Sequence, residues 1–161
     1  MRWLLDRLSP IPFPPWFMRL GGRLNAAWLQ FARGRGPLNS DVLVLTTRGR
    51  RSGRARSTAL LYFEDGAKRY VVASFAGVDR HPAWYLNLVA ERRVIVEVRG
   101  DRTPCLARVL DETGAAELWP LLDASYGGFT RYRARTPRQI PIVELTPDPD
   151  RQTSSLKAAS V

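Results

Sequence analysis

The 161-residue chain contains one cysteine, Cys105, and one histidine, His81. A lone cysteine forms no intrachain disulfide, and one histidine beside one cysteine cannot complete a common zinc site. No metal is therefore expected. A serine or cysteine hydrolase would have to use His81 as its base, which makes that class a poor fit. No stretch of eighteen uncharged apolar residues occurs, so no membrane-spanning helix is expected. Asp6 and Pro10 interrupt the first residues before an apolar segment of secretory length can form, which points to a cytoplasmic protein. There is no GxGxxG and no alternating strand–helix rhythm, and this argues against a doubly wound dinucleotide fold. Lysine is nearly absent, with Lys68 and Lys157 alone, so the positive charge is carried by arginine.

What is present is enough for one packed domain: 45% of residues are hydrophobic and 25% charged. The net charge of +10 is unevenly placed. Residues 1–60 hold eleven arginines against Asp6 and Asp41, whereas residues 61–161 hold fourteen basic and thirteen acidic groups. Five arginines (Arg48, Arg50, Arg51, Arg54 and Arg56) fall within nine residues.

Four prolines in residues 10–15 preclude helix and central strand and predict a stiff hinge. Residues 16–33 have helical period, with Phe17, Leu20, Leu24, Trp28 and Phe31 on one face and Arg19, Arg23 and Arg33 on another. That basic amphipathic helix either packs across the domain or lies on an anionic membrane surface. Strands are predicted at 41–47, 57–63, 69–74, 93–99, 102–110 and 140–145, and helices at 82–91, 111–125 and 128–136. Asp65-Gly66 and Gly100-Asp101 supply hairpin turns. Consecutive antiparallel strands with intervening helices indicate an α+β fold built on a small barrel. The expected organisation is a helical segment with its hinge (1–37), a barrel domain (38–147) and a flexible polar tail (148–161).

Three clusters carry chemical potential. The loop between the first two strands combines arginine forks, the Ser52 hydroxyl and two glycines, Gly49 and Gly53, which suits a phosphate or carboxylate. The alternative is a solvated basic loop with no ligand. The second cluster runs from Ala73-Ser74-Phe75 to Ala83-Trp84-Tyr85-Leu86-Asn87, where Trp84 and Asn87 share a helix face. It suits a flat ring system, while core packing of Trp84 is the competing reading. The third is Tyr126, Phe129 and Tyr132, spaced by three around Gly127-Gly128; it reads either as core or as an aromatic rim with a hydroxyl able to protonate a substrate. A nucleic-acid binder could use the arginine loop, but aromatics are not interleaved with its basic residues, so no nucleic-acid partner is expected.

The runs VLVLTTRGRRSGRARSTALLYFEDG, YVVASFAGVDRHPAWYLNLVAERRVIVEV and SYGGFTRY followed by RQIPIVEL resemble the deazaflavin-dependent nitroreductase family over residues 38–147. The resemblance implies a split β-barrel related to flavin-binding reductases. It also implies hydride transfer from reduced coenzyme F-420, rather than FMN or FAD, to a quinone, nitroaromatic or activated alkene. By motif, Arg50, Arg51, Ser52 and Arg56 would hold the coenzyme's anionic tail. Ser57, Thr58, Ala59 and Leu60 would line its ring through the backbone, with Val72, Ala73, Ser74, Phe75, Ala83, Trp84, Tyr85, Leu86 and Asn87 completing the pocket. Leu61, Ser74, Tyr126, Phe129 and Tyr132 would meet the substrate, and Tyr126 and Tyr132 are the candidate catalytic residues. The chain departs from many members in having Ala59 for proline, Ala76-Gly77 for a glycine pair and, for some members, Phe75 for lysine. A non-catalytic carrier of cofactor or lipid on the same barrel is the alternative, and a homodimer is a further expectation.

Overall fold

The apolar, β-branched run Val42–Arg48 forms strand β1, and Leu43, Val44 and Leu45 are buried in succession, as in a strand covered on both faces. The structure, a computed structural model, describes residues 42–151. The predicted hinge, the amphipathic helix and residues 152–161 lie outside the described residues.

Strands β2 (Ala55–Asp65) and β3 (Lys68–Val72) follow, then helix α1 (Ala83–Ala90), β4 (Arg93–Val98), β5 (Asp101–Val109), α2 (Glu112–Ser125), α3 (Gly128–Arg135) and β6 (Ile142–Pro147). The six strands close into a barrel in the order β1-β2-β3-β6-β5-β4, with every pair antiparallel. This is the split-barrel α+β fold that the sequence predicts. Its hairpin turns use positive φ: Gly66 at 60° between β2 and β3, and Arg99 at 52° with Gly100 at 96° between β4 and β5. The second turn is thus Arg99-Gly100, and Asp101 already belongs to β5.

Alternation divides the apolar residues between two cores. Leu43, Leu45, Val71, Val96, Val143 and Leu145 point into the barrel with Trp84 and Leu88 of α1. Tyr70, Val72 and Ile142 point outward, where they are covered by Leu122 of α2 and Phe129 of α3. Each fully buried leucine or valine contributes about 1.5–3 kcal/mol relative to exposure. Asp111 caps α2 by accepting from the Gly114 N–H at 2.9 Å. An ion pair from Arg133 to Asp123 joins α3 to α2, and the Arg133 guanidinium lies 4.2 Å from the Trp119 ring centroid.

The strand limits differ from the sequence reading in two informative places. β2 is longer than predicted because it pairs with all of β1, down to Arg48↔Ala55, and then with β3 as far as Asp65↔Lys68. β3 stops at Val72 because the chain next enters a left-handed turn. Beyond β6, Asp148 is 1% exposed and its N–H donates to the Pro104 carbonyl at 2.9 Å, so the start of the predicted tail is docked on the barrel.

Candidate active site

The arginine loop closes on itself. The Gly49 N–H donates to Arg54 O at 2.8 Å, and the Gly53 N–H donates to Gly49 O at 2.7 Å. Gly53 sits at φ +65, which favours glycine, and a Cβ on Gly49 would stand 2.7 Å from the Ser52 Oγ and 3.2 Å from Arg54 O, so the turn is tightly wound at both positions. Arg50, Arg51, Ser52, Arg54 and Arg56 are exposed around this turn. Clefts of about 340 and 320 Å³ share Arg48, Gly53 and Glu91 in their linings.

Helix α1 holds the loop in place. Asn87 Oδ1 accepts from the Arg50 backbone N–H at 3.2 Å and from its Nη1 at 3.4 Å, while Asn87 Nδ2 donates to Thr47 Oγ1 at 3.2 Å. Asn87 and Thr47 are both buried, at 6% and 2% exposure. Asn87, a ring-pocket candidate by resemblance, is thus engaged with the loop that would hold the tail. Trp84, one turn earlier, is packed inside the barrel core, as are Ala73 and Leu88. Of the proposed ring-pocket side chains on α1, Tyr85 and Leu86 are half-buried and Ala83 is exposed.

The segment Ser57–Leu61 has an open side. One edge of β2 pairs with β1 in the register Ser57↔Thr46 to Leu61↔Val42. The ladder to β3 ends at Tyr62↔Val71, and beyond that rung the strands part. Val72 follows β6, opposite Ile142, and the Ala73 N–H donates to Pro141 O at 2.9 Å. Ser57, Thr58, Ala59, Leu60 and Leu61 are all half-buried and, among the described residues, lack a ladder partner on this edge. Such an edge offers backbone donors and acceptors in a row to a planar polar ligand. Thr46 and Ser57 hydroxyls share a hydrogen bond of 2.8 Å where the edge meets the arginine loop.

Where β3 leaves the sheet, Phe75, Ala76 and Gly77 take φ values of 47°, 54° and 75°. Three successive residues in the left-handed region are unusual, and for Phe75 and Ala76 the conformation costs roughly 1–2 kcal/mol each. Gly77 packs so closely on α3 that a Cβ would lie 2.8 Å from Tyr132 O. The turn therefore joins the ring-binding candidates Ser74 and Phe75 to the tyrosine cluster. In that cluster the Tyr126 and Tyr132 hydroxyls are 3.0 Å apart, and Phe129 packs edge-on against Tyr126 at 5.1 Å. Burial, and then the bond to Tyr126, push the Tyr132 hydroxyl up to about 12, so it keeps its proton at neutral pH. Cys105 is inside the barrel with its thiol pushed up to about 11 by burial, an inert position.

Arg138 is a site residue that sequence reasoning missed. Its Nε donates to Val78 O at 2.9 Å, and its Nη2 donates to Ser74 O at 2.8 Å and Ala73 O at 3.2 Å. Nη1 lies 3.5 Å from His81 Nδ1. The only sequence signal is an arginine shortly before a proline-preceded strand, which does not reveal partners some sixty positions away.

Comparison with known proteins identifies relatives of this barrel. A family model described as F420H(2)-dependent quinone reductase matches residues 24–147. A curated protein of that description from Mycobacterium tuberculosis is 36% identical over 107 residues, covering 65% of this chain and 72% of that protein. Among solved structures, an F420-H2 dependent reductase, FDR-A, is 31% identical with a TM-score of 0.59, covering 65% of this chain and 92% of that one. Another, described as a domain-swapped dimer, is 26% identical with a TM-score of 0.61, covering 76% and 96%.

Proposed function

The chain belongs to the F420H(2)-dependent quinone reductase family, and from that premise we propose that it transfers a hydride from reduced coenzyme F-420 to a quinone. The observation that carries the reading is the continuity of the arginine loop with the open edge of β2. An anionic tail and a planar polar ring are thereby offered adjoining surfaces of matching chemistry. The bound deazaflavin supplies the hydride; the protein binds, orients and excludes water.

In this reading Arg50, Arg51, Ser52 and Arg56 hold the tail, with Arg50 oriented by Asn87. Backbone groups of Ser57, Thr58, Ala59 and Leu60 read the ring edge, opposite the strand end at Val72–Phe75. Val72, Ala73 and Trp84 contribute support from beneath, since their side chains are packed in the two cores. Leu61 and Ser74 bound the acceptor space, Phe129, at 4% exposure, supports the tyrosines from within the outer core, and the Tyr126–Tyr132 pair holds the proton that completes reduction. Nitroaromatics and activated alkenes are further acceptors of the same type.

The solved relative described as a domain-swapped dimer supports a homodimer, which sedimentation tests directly. The basic residues 1–37 support peripheral contact with an anionic membrane, where lipophilic quinones dissolve. Among the described residues no helix is long and apolar enough to cross a membrane.

The deciding experiment mixes the protein with reduced coenzyme F-420 and menadione and follows oxidation of the coenzyme, with reduced nicotinamide and reduced flavin as controls. Turnover with the deazaflavin alone is expected. Tight coenzyme binding without turnover with any acceptor would favour the carrier reading instead.

A further inference from the structure

We propose that Arg138 is a positioning residue that clamps the left-handed turn 75–77 and so sets the separation between the ring-binding strand end and the acceptor-side tyrosines. The inference rests on the hydride-transfer reading above for its functional consequence, but the clamp itself is a matter of geometry.

The turn has little intrinsic reason to form. Phe75 and Ala76 both carry side chains at positive φ, and the internal backbone bonds, Gly77 N–H to Ser74 O at 2.9 Å and Val78 N–H to Phe75 O at 3.1 Å, satisfy only part of its polar groups. Arg138 adds bonds from outside, to carbonyls that flank the turn. Its forked guanidinium reaches the carbonyls of Ala73, Ser74 and Val78, on both sides of the turn, through two different nitrogens. A planar fork can do this at a fixed angle; a lysine ammonium cannot span the same carbonyls with one orientation. Arg138 is itself anchored, because its N–H donates to Thr136 Oγ1 at 3.3 Å, and that hydroxyl donates to Asp79 Oδ1 at 3.1 Å. The residues following α3 are thus tied to both ends of the 73–81 segment.

The consequence follows from Gly77. Its Cα lies against the backbone of Tyr132, and an added Cβ would meet Tyr132 O at 2.8 Å and the Arg135 Cβ at 3.0 Å. The clamp therefore presses the turn onto the helix that carries Tyr132 and leaves no slack for a shift. Arg138 touches neither the arginine loop nor the edge Ser57–Leu61, and it meets Ala73 and Ser74 only through their carbonyls, so it is expected to affect the chemical step more than coenzyme affinity.

The test uses the full chain with Arg138→Lys, Arg138→Gln and, from the opposite side of the contact, Gly77→Ala. Amide hydrogen exchange is measured without coenzyme, and kcat and KM are measured with reduced coenzyme F-420 and menadione. All three variants are expected to raise exchange over 73–81 while the barrel strands stay protected. They are expected to lower kcat by about tenfold or more, since misplacements of an ångström carry effects of that order. KM for the reduced coenzyme should move by less than about threefold, because the tail-binding loop is untouched. Unchanged exchange in 73–81, a uniform loss of protection across the barrel, or full recovery of kcat by Arg138→Lys would overturn the clamp. If the unmodified protein shows no deazaflavin turnover, the functional reading fails, while the exchange measurement still decides whether Arg138 holds the turn.

Discussion

At Ala76, φ is 54°, where a Cβ is disfavoured and glycine is not. Replacing it with glycine removes roughly 1–2 kcal/mol of left-handed strain and adds some chain entropy to the unfolded state. Ala76→Gly is therefore expected to stabilise the fold by about 0.5–1 kcal/mol, read as a raised denaturant midpoint with unchanged slope. A lowered midpoint would show that the alanine methyl makes a contact worth more than the strain. Tyr132 differs in kind, since burial and the hydroxyl of Tyr126 act on its proton. In Tyr132→Phe the hydroxyl pair is broken, and kcat should fall selectively while coenzyme affinity holds. An unaltered kcat would reduce Tyr132 to packing. Arg50→Ala should raise the Kd for reduced coenzyme F-420, and more than the same change at Arg51, because Arg50 alone is fixed by Asn87. Equal affinities in a titration would remove that role.

Among the described elements, the segment between β3 and α1 has a built-in response to pH near neutrality. His81 stacks against Tyr85 at 4.8 Å and faces the Arg138 guanidinium, and burial followed by that positive charge holds its pKa below the ordinary imidazole value. The native state thus favours the neutral ring. Its contribution is complete above about pH 6.5, the ordinary value, and is lost as pH falls through the lowered one. Melting temperature is expected to decline between pH 7 and pH 5, and His81→Gln should flatten that part of the profile. Glu144, held low first by its hydrogen bonds from Arg108 and despite its burial, acts in a separate and more acidic window. A profile unchanged by His81→Gln would assign the decline elsewhere.

The same segment shows why the sequence discloses some elements and not others. Strand alternation at Val94, Val96 and Val98, and the glycine-punctuated arginine run, are local signals with local physical causes, and both appear where expected. Helical spacing correctly puts Trp84 and Asn87 on one face, yet spacing does not say what that face meets. It meets the barrel interior and the back of the arginine loop. The left-handed turn is invisible because Phe75 and Ala76 are not turn residues by composition. Their conformation comes from Gly77 against α3 and from the distant Arg138.

Over the whole molecule, the net charge of +10 invites a nucleic-acid or membrane explanation, but its arrangement on the fold is more specific. Lys68 and Arg108 are spent on the buried Glu144 carboxylate, Arg133 on Asp123 and Arg69 on Glu64. Arg50 and Arg51 in the loop, and Arg56 at the start of β2, are instead exposed at one end of the β1–β2 pair. Exposed charges of this kind act over about 10 Å at 0.1 M salt and about 3 Å at 1 M. Attraction for a multiply charged coenzyme tail is therefore expected to weaken steeply with ionic strength, whereas binding of a neutral quinone should be indifferent to it. Raising NaCl from about 0.05 to 0.5 M should increase KM for the reduced coenzyme severalfold and leave KM for menadione and kcat nearly constant. Arg50→Ala should flatten the coenzyme's salt dependence, because one of the screened charges is gone. A salt response carried equally by both substrates would point to a change in the barrel rather than in the loop, and would separate the positive charge from coenzyme capture.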